Sequence, residues 1–386
     1  MKALRIFALS FIFWSALGQS AEGGTNNIST WRKGYFDIHS IATGKGECTF
    51  LVYPDGTTML IDAGDMTGYT WESKPLPDDS KTPAQWIADY INSFSPTPGK
   101  IDYVCLTHYH DDHMGTKLAL KDRGNGYLES GLLELGSYIN IGKLVDRGLD
   151  FPSRDFVMKQ NPGVMEEYLK FRERQKAEDF VIGSRRQFRP KGFVWNFKVR
   201  NVAANCSVWT GKGRKSRPMY TKDPESLDEN MYSCVMIFDY GKFRYFSGGD
   251  IPGQPKSKRR NYESQILPLC SPCSVMKANH HGRPDAGGED FLLGMNPKAI
   301  IFQCCNQGHP SKEGLSRALS ITPDAKLFAT SESGRQQLGE DLWRHISAWG
   351  HIVVRVYPGG NSFKIFVLDA ESPERPVIFE SELYSL

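Results

Sequence analysis

The chain has 386 residues, 40 % hydrophobic and 24 % charged, with a net charge of +3. That balance excludes a disordered or fibrous protein and allows one large domain or two modest ones. The total charge gives no strong pull toward a polyanionic partner.

The opening MKALRIFALSFIFWSALGQSAEGG places Lys2 and Arg5 ahead of an apolar stretch and then small residues. This is the layout of a secretory signal peptide over residues 1–21, too short in its apolar part for a bilayer-spanning helix. An uncleaved anchor is the alternative. No later segment reads as transmembrane, so an exported, periplasmic or secreted protein is expected. Export would put the eight cysteines in an oxidising compartment. Cys270-Ser-Pro-Cys273 reads as a structural disulfide or two buried thiols, because a lone CxxC is weak evidence for redox or zinc chemistry.

Residues 30–386 read as one hydrolase-like domain. Gly34 to Val52 and Thr57 to Ile61 have strand character, joined by Tyr53-Pro54-Asp55-Gly56. Thr82 to Phe94 has helical spacing in Ala84, Trp86, Ile87, Tyr90 and Ile91. Ile101 to Leu106 is a short buried strand ending in Thr107-His-Tyr-His-Asp-Asp-His-Met-Gly115. Residues 116–228 contain no histidine and read as a partly irregular insertion, with a helix from Val164 to Lys176. Hairpin strands Cys234–Phe238 and Phe243–Phe246 lead to Ser247-Gly-Gly-Asp250. Strand Ser274–Ala278 leads to Asn279-His-His-Gly282, and strand Lys298–Gln303 to Cys304-Cys-Asn-Gln-Gly-His-Pro310. A final pair, Ile352–Tyr357 and Ser362–Leu368, turns at Pro358-Gly-Gly-Asn361. Strands mixed with helices throughout favour a layered α/β architecture.

Three of the nine histidines fall within six residues. In an extended segment His108, His110 and Asp112 alternate onto one side, while His113 points elsewhere unless the chain turns. Such a segment offers two imidazoles to one ion and an Asp-His pair to a second, a donor set suited to Zn²⁺, with Mn²⁺ or Fe accepted by carboxylate-rich versions. Asp250 ends a strand beside glycines and is a candidate bridging carboxylate. Asp62, in Ile61-Asp62-Ala63-Gly64, has the same form and can orient a ligating histidine.

The set Asp62-Ala-Gly64, HxHxDH at 108–113, Gly249-Asp250 and His280-His-Gly282 resembles the metallo-β-lactamase superfamily. It is similar above all to the branch holding the nuclease-like domain of ComEC/Rec2 DNA-uptake proteins and the phosphorylcholine esterases. The resemblance extends to Gly44-Lys-Gly-Glu47, Asn230, Ser233, Met276-Lys277 and Asn306-Gln-Gly-His-Pro310, and is poor over 116–228. It implies an αββα sandwich with a long insertion between the HxHxDH motif and the bridging Asp. It implies two divalent ions, zinc before manganese: His108 and His110 on the first, Asp112, His113 and His281 on the second, and Asp250 between. Asp112 also serves as a catalytic residue that orients water, and His280 touches a substrate phosphate, the roles of His280 and His281 being exchangeable. Asn230 supports the first site; Lys277, Arg283 and His309 contact substrate. Many relatives take a further first-site histidine from the span 114–279, which contains none here; Asn230, Asp228, Glu229 or water is left to fill that place.

The reaction implied is hydrolysis of phosphodiesters, in nucleic acid or a phosphorylated surface polymer. Hydrolysis of β-lactams or lactones, and a non-catalytic module with a degenerate metal site, are the competing readings. A redox di-iron centre is disfavoured, because that branch has Glu where His110 stands.

Overall fold

The computed structural model describes residues 27–219, 227–254 and 260–386; the segment 1–21, read above as a signal peptide, lies outside them. Among the described residues no helix is long and apolar enough to cross a membrane.

Two sheets face each other. One runs in the order Glu178–Asp179, Leu144–Asp146, Tyr103–Cys105, Thr58–Ile61, Thr49–Val52, Phe36–Ser40, His351–Val356, Ser362–Leu368, Val377–Glu380. The other runs Ser216–Pro218, Ser207–Trp209, Phe197–Ala204, Val235–Tyr240, Phe243–Ser247, Val275–Lys277, Ala299–Phe302, Lys326–Ala329, Ile346–Trp349. Three apolar clusters sort into layers. Phe36, Ile38, Met59 and Ile61 meet Val199, Phe238, Tyr245 and Ile301 between the sheets. Leu60 and Val104 on the outer face of the first sheet pack under helices Pro83–Phe94 and Val164–Gln175. Met276 and Ile300 on the second pack under Glu263–Cys270, Glu289–Met295 and Lys312–Ile321. This is the αββα sandwich. Because successive strand residues face opposite ways, each sheet is apolar on both faces, as a central layer must be.

Helix Pro83–Phe94 starts where its sequence says it should. Thr82 accepts from Gln85 N–H while the Gln85 side chain accepts from Thr82 N–H, a capping box with Pro at the first helical position.

Two expectations change. The extended stretch Gly34–Val52 is two antiparallel strands separated by residues 41–48. The break is made by Gly44, at φ +70°, and by Gly46, whose missing side chain lets its backbone lie against Gly64. Residues 116–228 are also more than a partly irregular insertion. Leu144–Asp146 pairs in parallel with Tyr103–Cys105 in the first sheet, and Phe197–Ala204 pairs with Val235–Tyr240 in the second.

The cysteines are all buried free thiols, Cys270 and Cys273 included.

Candidate metal centre

The site lies at the strand ends where both sheets release their loops. Strand Tyr103–Cys105 hands the chain to Thr107–His110, which stays extended, and His110 then caps a single helical turn, Asp111–Met114. Asp112 therefore does not continue the alternation of His108 and His110. The turn swings Asp112 and His113 inward instead. Backbone pairing holds it there: Glu47 N–H donates to Asp112 O at 2.7 Å and Ala63 N–H to His113 O at 3.0 Å. Gly64 sits so close that a Cβ would lie 1.8 Å from Asp112 O.

Asp62, at φ +60°, accepts from Thr107 N–H and Thr107 Oγ1–H, both at 2.7 Å, and from His113 Nδ1–H at 2.8 Å. That fixes the tautomer and leaves His113 Nε2 free to ligate. His281 is arranged the same way, with Nδ1–H donating to Gln303 O at 2.7 Å. The Nε2 atoms of both rings are buried and make no hydrogen bond. They face carboxylates: Asp250 Oδ2 is 3.2 Å from His113 Nε2 and 3.0 Å from His281 Nε2, and Asp112 Oδ2 is 3.1 Å from His281 Nε2. Tetrahedral coordination at about 2.0–2.1 Å separates neighbouring donors by roughly 3.3 Å, so these spacings fit one divalent ion.

Without an ion, charge attraction between the imidazoles and the carboxylates holds the cluster together. Burial pushes His281 down, but Asp250 and Asp112 overcome it and carry it up to about 9; His113 is also raised, by Asp250, Asp62 and Asp112 against the same burial. Burial pushes Asp112 and Asp250 up, yet the two imidazoles hold both well below the usual carboxylate range. An ion displaces two protons from a set whose carboxylates are already ionised.

The first-metal residues come together less completely. His108 Nε2 and His110 Nδ1 are 3.1 Å apart, a separation two ligands of one ion would have. Of the three residues proposed to complete that site, Glu229 is committed to Arg147 through contacts of 2.7 and 2.8 Å, and Asp228 caps the turn by accepting from Asn230 N–H. Asn230 is better placed: its Oδ1 is buried without a hydrogen bond and its Nδ2–H donates to His280 Nε2 at 3.3 Å.

His280 and His281 both take left-handed backbone, φ +47° and +54°, which turns neighbouring rings to different tasks. His281 enters the metal cluster. His280 donates from Nδ1 to Asp285 at 2.9 Å and borders a cleft of about 380 Å³ together with His110, Asn230, Arg283 and His309. Arg283 stands half-buried at that cleft. Lys277 does not reach it. The ammonium is fully buried, 2.9 Å from Glu47 Oε2, 3.1 Å from Asp250 Oδ1 and 2.6 Å from Gly249 O. Lys277 is therefore an internal counter-ion that ties down one oxygen of Asp250, not a substrate contact. Burial works against its charge, but Glu47 and Asp250 raise its pKa.

Glu47 was visible in sequence only as part of a Gly-Lys-Gly-Glu turn; nothing there signals that it stands beside His113, Asp250 and His281. Cys305 is the other unanticipated neighbour, 3.6 Å from Asp112 Oδ2 and 3.5 Å from His309 Nδ1. Its proximity to His281 and His309 is not a second metal site. Those two rings stack at 4.4 Å with planes 11° apart, and an ion in the plane of one lies outside the plane of the other.

Residues 43–154 match the family model described as Metallo-beta-lactamase superfamily. No curated protein matches the chain. Among solved structures it is similar to CmlA, a diiron beta-hydroxylase from Streptomyces venezuelae, with 11 % identity and a TM-score of 0.39, covering 83 % of this chain and 54 % of that one. It is also similar to Igni18, a metallo hydrolase from the hyperthermophilic archaeon Ignicoccus hospitalis, with 14 % identity and a TM-score of 0.38, covering 75 % and 94 %. The chain thus spans about half the length of the first.

Proposed function

We propose, from the match of residues 43–154 to the metallo-β-lactamase superfamily model and from the geometry of the site, that the chain is an exported metal-dependent hydrolase of phosphodiesters. The observation that carries the reading is the pair of unbonded Nε2 atoms on His113 and His281, each backed at Nδ1 and facing Asp112 and Asp250. A divalent ion bound there, zinc before manganese, supplies Lewis acidity and lowers the pKa of water. His108 and His110, with Asn230 Oδ1, form the place for a second.

The chain's own groups do the rest. Asp112 and Asp250 hold the donor set in its ionised form, and Lys277 fixes Asp250 Oδ1 so that only Oδ2 faces the imidazoles. His280, its Nδ1–H committed to Asp285 and its Nε2 accepting from Asn230, shapes the wall of the cleft, and Arg283 supplies the positive charge there for a phosphate oxygen. An anionic substrate suits that mouth better than a neutral lactam or lactone. His309, nine-tenths buried or more and stacked on His281, forms the floor.

The test is metal analysis of the purified protein with parallel assays on bis(p-nitrophenyl) phosphate and on a β-lactam. The expected result is bound zinc and diester cleavage that Asp250→Asn abolishes. Cleavage of the lactam alone, or full diester activity in Asp250→Asn, overturns the reading; metal binding with no hydrolysis of either supports the non-catalytic module.

A further inference from the structure

From Val181 to Met219 the chain carries ten Lys and Arg and no Asp or Glu, against a net charge of +3 for all 386 residues. The remainder is therefore acidic on balance, and the positive charge is concentrated in one region. At the tip of a loop within it Phe193 is 93 % exposed and Trp195 65 %. The loop is pinned. Lys191 N–H donates to Thr57 Oγ1 at 2.9 Å, Gly192 N–H to Asp55 Oδ2 at 2.7 Å, and Gly241 N–H to Asn196 O at 3.1 Å. The two aromatic rings are held outward by a braced backbone.

Flanking them in the chain, Arg189 and Lys198 are exposed and pair with no carboxylate among the described residues, as do Arg185 and Arg186 on the turn bonded to Asn201, while Lys191 shares Asp102. Arg200 lies over the Trp209 ring at 4.1 Å, and Arg185 is close enough to push its pKa down further than burial alone. Strand Phe197–Ala204 starts beside this loop and runs to Asn205, whose amide donates to Arg147 O next to the metal cleft. Eight residues at roughly 3.3 Å each put the aromatic tip about 25 Å from the site. A track for a polyanionic substrate would lead into the cleft; this loop lies at the other end of the strand from it.

We propose that the face formed by Phe193, Trp195 and the surrounding Arg and Lys residues docks on an anionic lipid surface and turns the metal cleft toward the aqueous side. Exposed Trp and Phe settle at the headgroup boundary, and clustered cations are drawn to lipid phosphates. The described chain begins at the same edge, where Trp31 packs on Gly56 beside Asp55. The inference does not rest on the hydrolase reading.

The test mixes the full chain with vesicles of phosphatidylcholine, alone or with phosphatidylglycerol, and measures co-sedimentation and hydrogen exchange over residues 185–198. The anionic vesicles should bind about tenfold or more tightly, with added salt weakening the binding. The loop should gain protection, and Phe193→Ser with Trp195→Ser should lose binding about tenfold while cleavage of a soluble diester is unchanged. The proposal is overturned by equal binding to both vesicles, by unchanged binding of the double variant, or by loop protection without vesicles, which would mean the chain's own leader covers it. Capture of a short DNA duplex in place of vesicles would overturn it as well.

Discussion

Removing the Glu229 carboxylate should damage the protein more than any surface substitution. Arg147 and Glu229 have side chains with no solvent exposure. The guanidinium meets both carboxylate oxygens, donates to Phe151 O at 2.8 Å, and lies between the rings of Tyr109 and Tyr232 at 4.6 and 4.7 Å. Glu229→Ala strands that charge in a dry site, which costs about 3–5 kcal/mol. It also removes the acceptor of Tyr109 N–H, 3.1 Å from Glu229 Oε1, adding about 1–3 kcal/mol. Arg147→Met combined with Glu229→Leu cancels the first cost, keeps the second and takes the donor from Phe151 O and Asn205 Oδ1, so the double variant should lie below wild type but above Glu229→Ala. Urea denaturation reads both, as midpoint shifts at constant slope. A double variant as unstable as Glu229→Ala, or a single variant within about 1 kcal/mol of wild type, would refute the account. Because Tyr109 sits between His108 and His110, the double variant should also bind a second equivalent of metal more weakly.

Asp62→Ala leaves His113 Nδ1 without its partner and should weaken metal binding by about 10- to 100-fold; calorimetry showing an unchanged Kd would count against the orienting role. In the metal-free protein, His281 at about 9 against an ordinary 6.5 contributes about 3 kcal/mol of stability, present in full below about pH 6.5 and lost as pH rises through 9. His113 shifts in the same direction. Metal affinity should move oppositely, rising up to about tenfold per pH unit for each proton displaced. Urea midpoints in chelator that stay flat or climb between pH 6.5 and 9 would contradict this.

The metal centre was legible because its residues follow strands and stand within two positions of a glycine: Asp62 before Gly64, His113 before Gly115, Asp250 after Gly249, His281 before Gly282. What lay hidden was set by contacts distant in sequence. Lys277 reads as a substrate-binding cation until its strand is seen wedged between neighbours that bury it against Glu47. The three-residue strand Leu144–Asp146 has too little periodicity to announce itself, and its place is decided by parallel pairing to Tyr103–Cys105. The helical turn at Asp111–Met114 is fixed by backbone bonds from Glu47 and Ala63, not by its own residues' propensity. The division of labour between His280 and His281 depends on two left-handed φ angles that the pair His-His does not encode.

The four residues around the ion site come from opposite halves of the sandwich: Asp112 and His113 follow a strand of the first sheet, Asp250 and His281 follow strands of the second. An ion between them is a rivet through both layers, and its binding energy becomes cohesion between the halves. At a hundredfold excess over Kd that is about 2.7 kcal/mol, so a chelator should make the two sheets part at lower urea even where it leaves each one's own hydrogen bonds untouched.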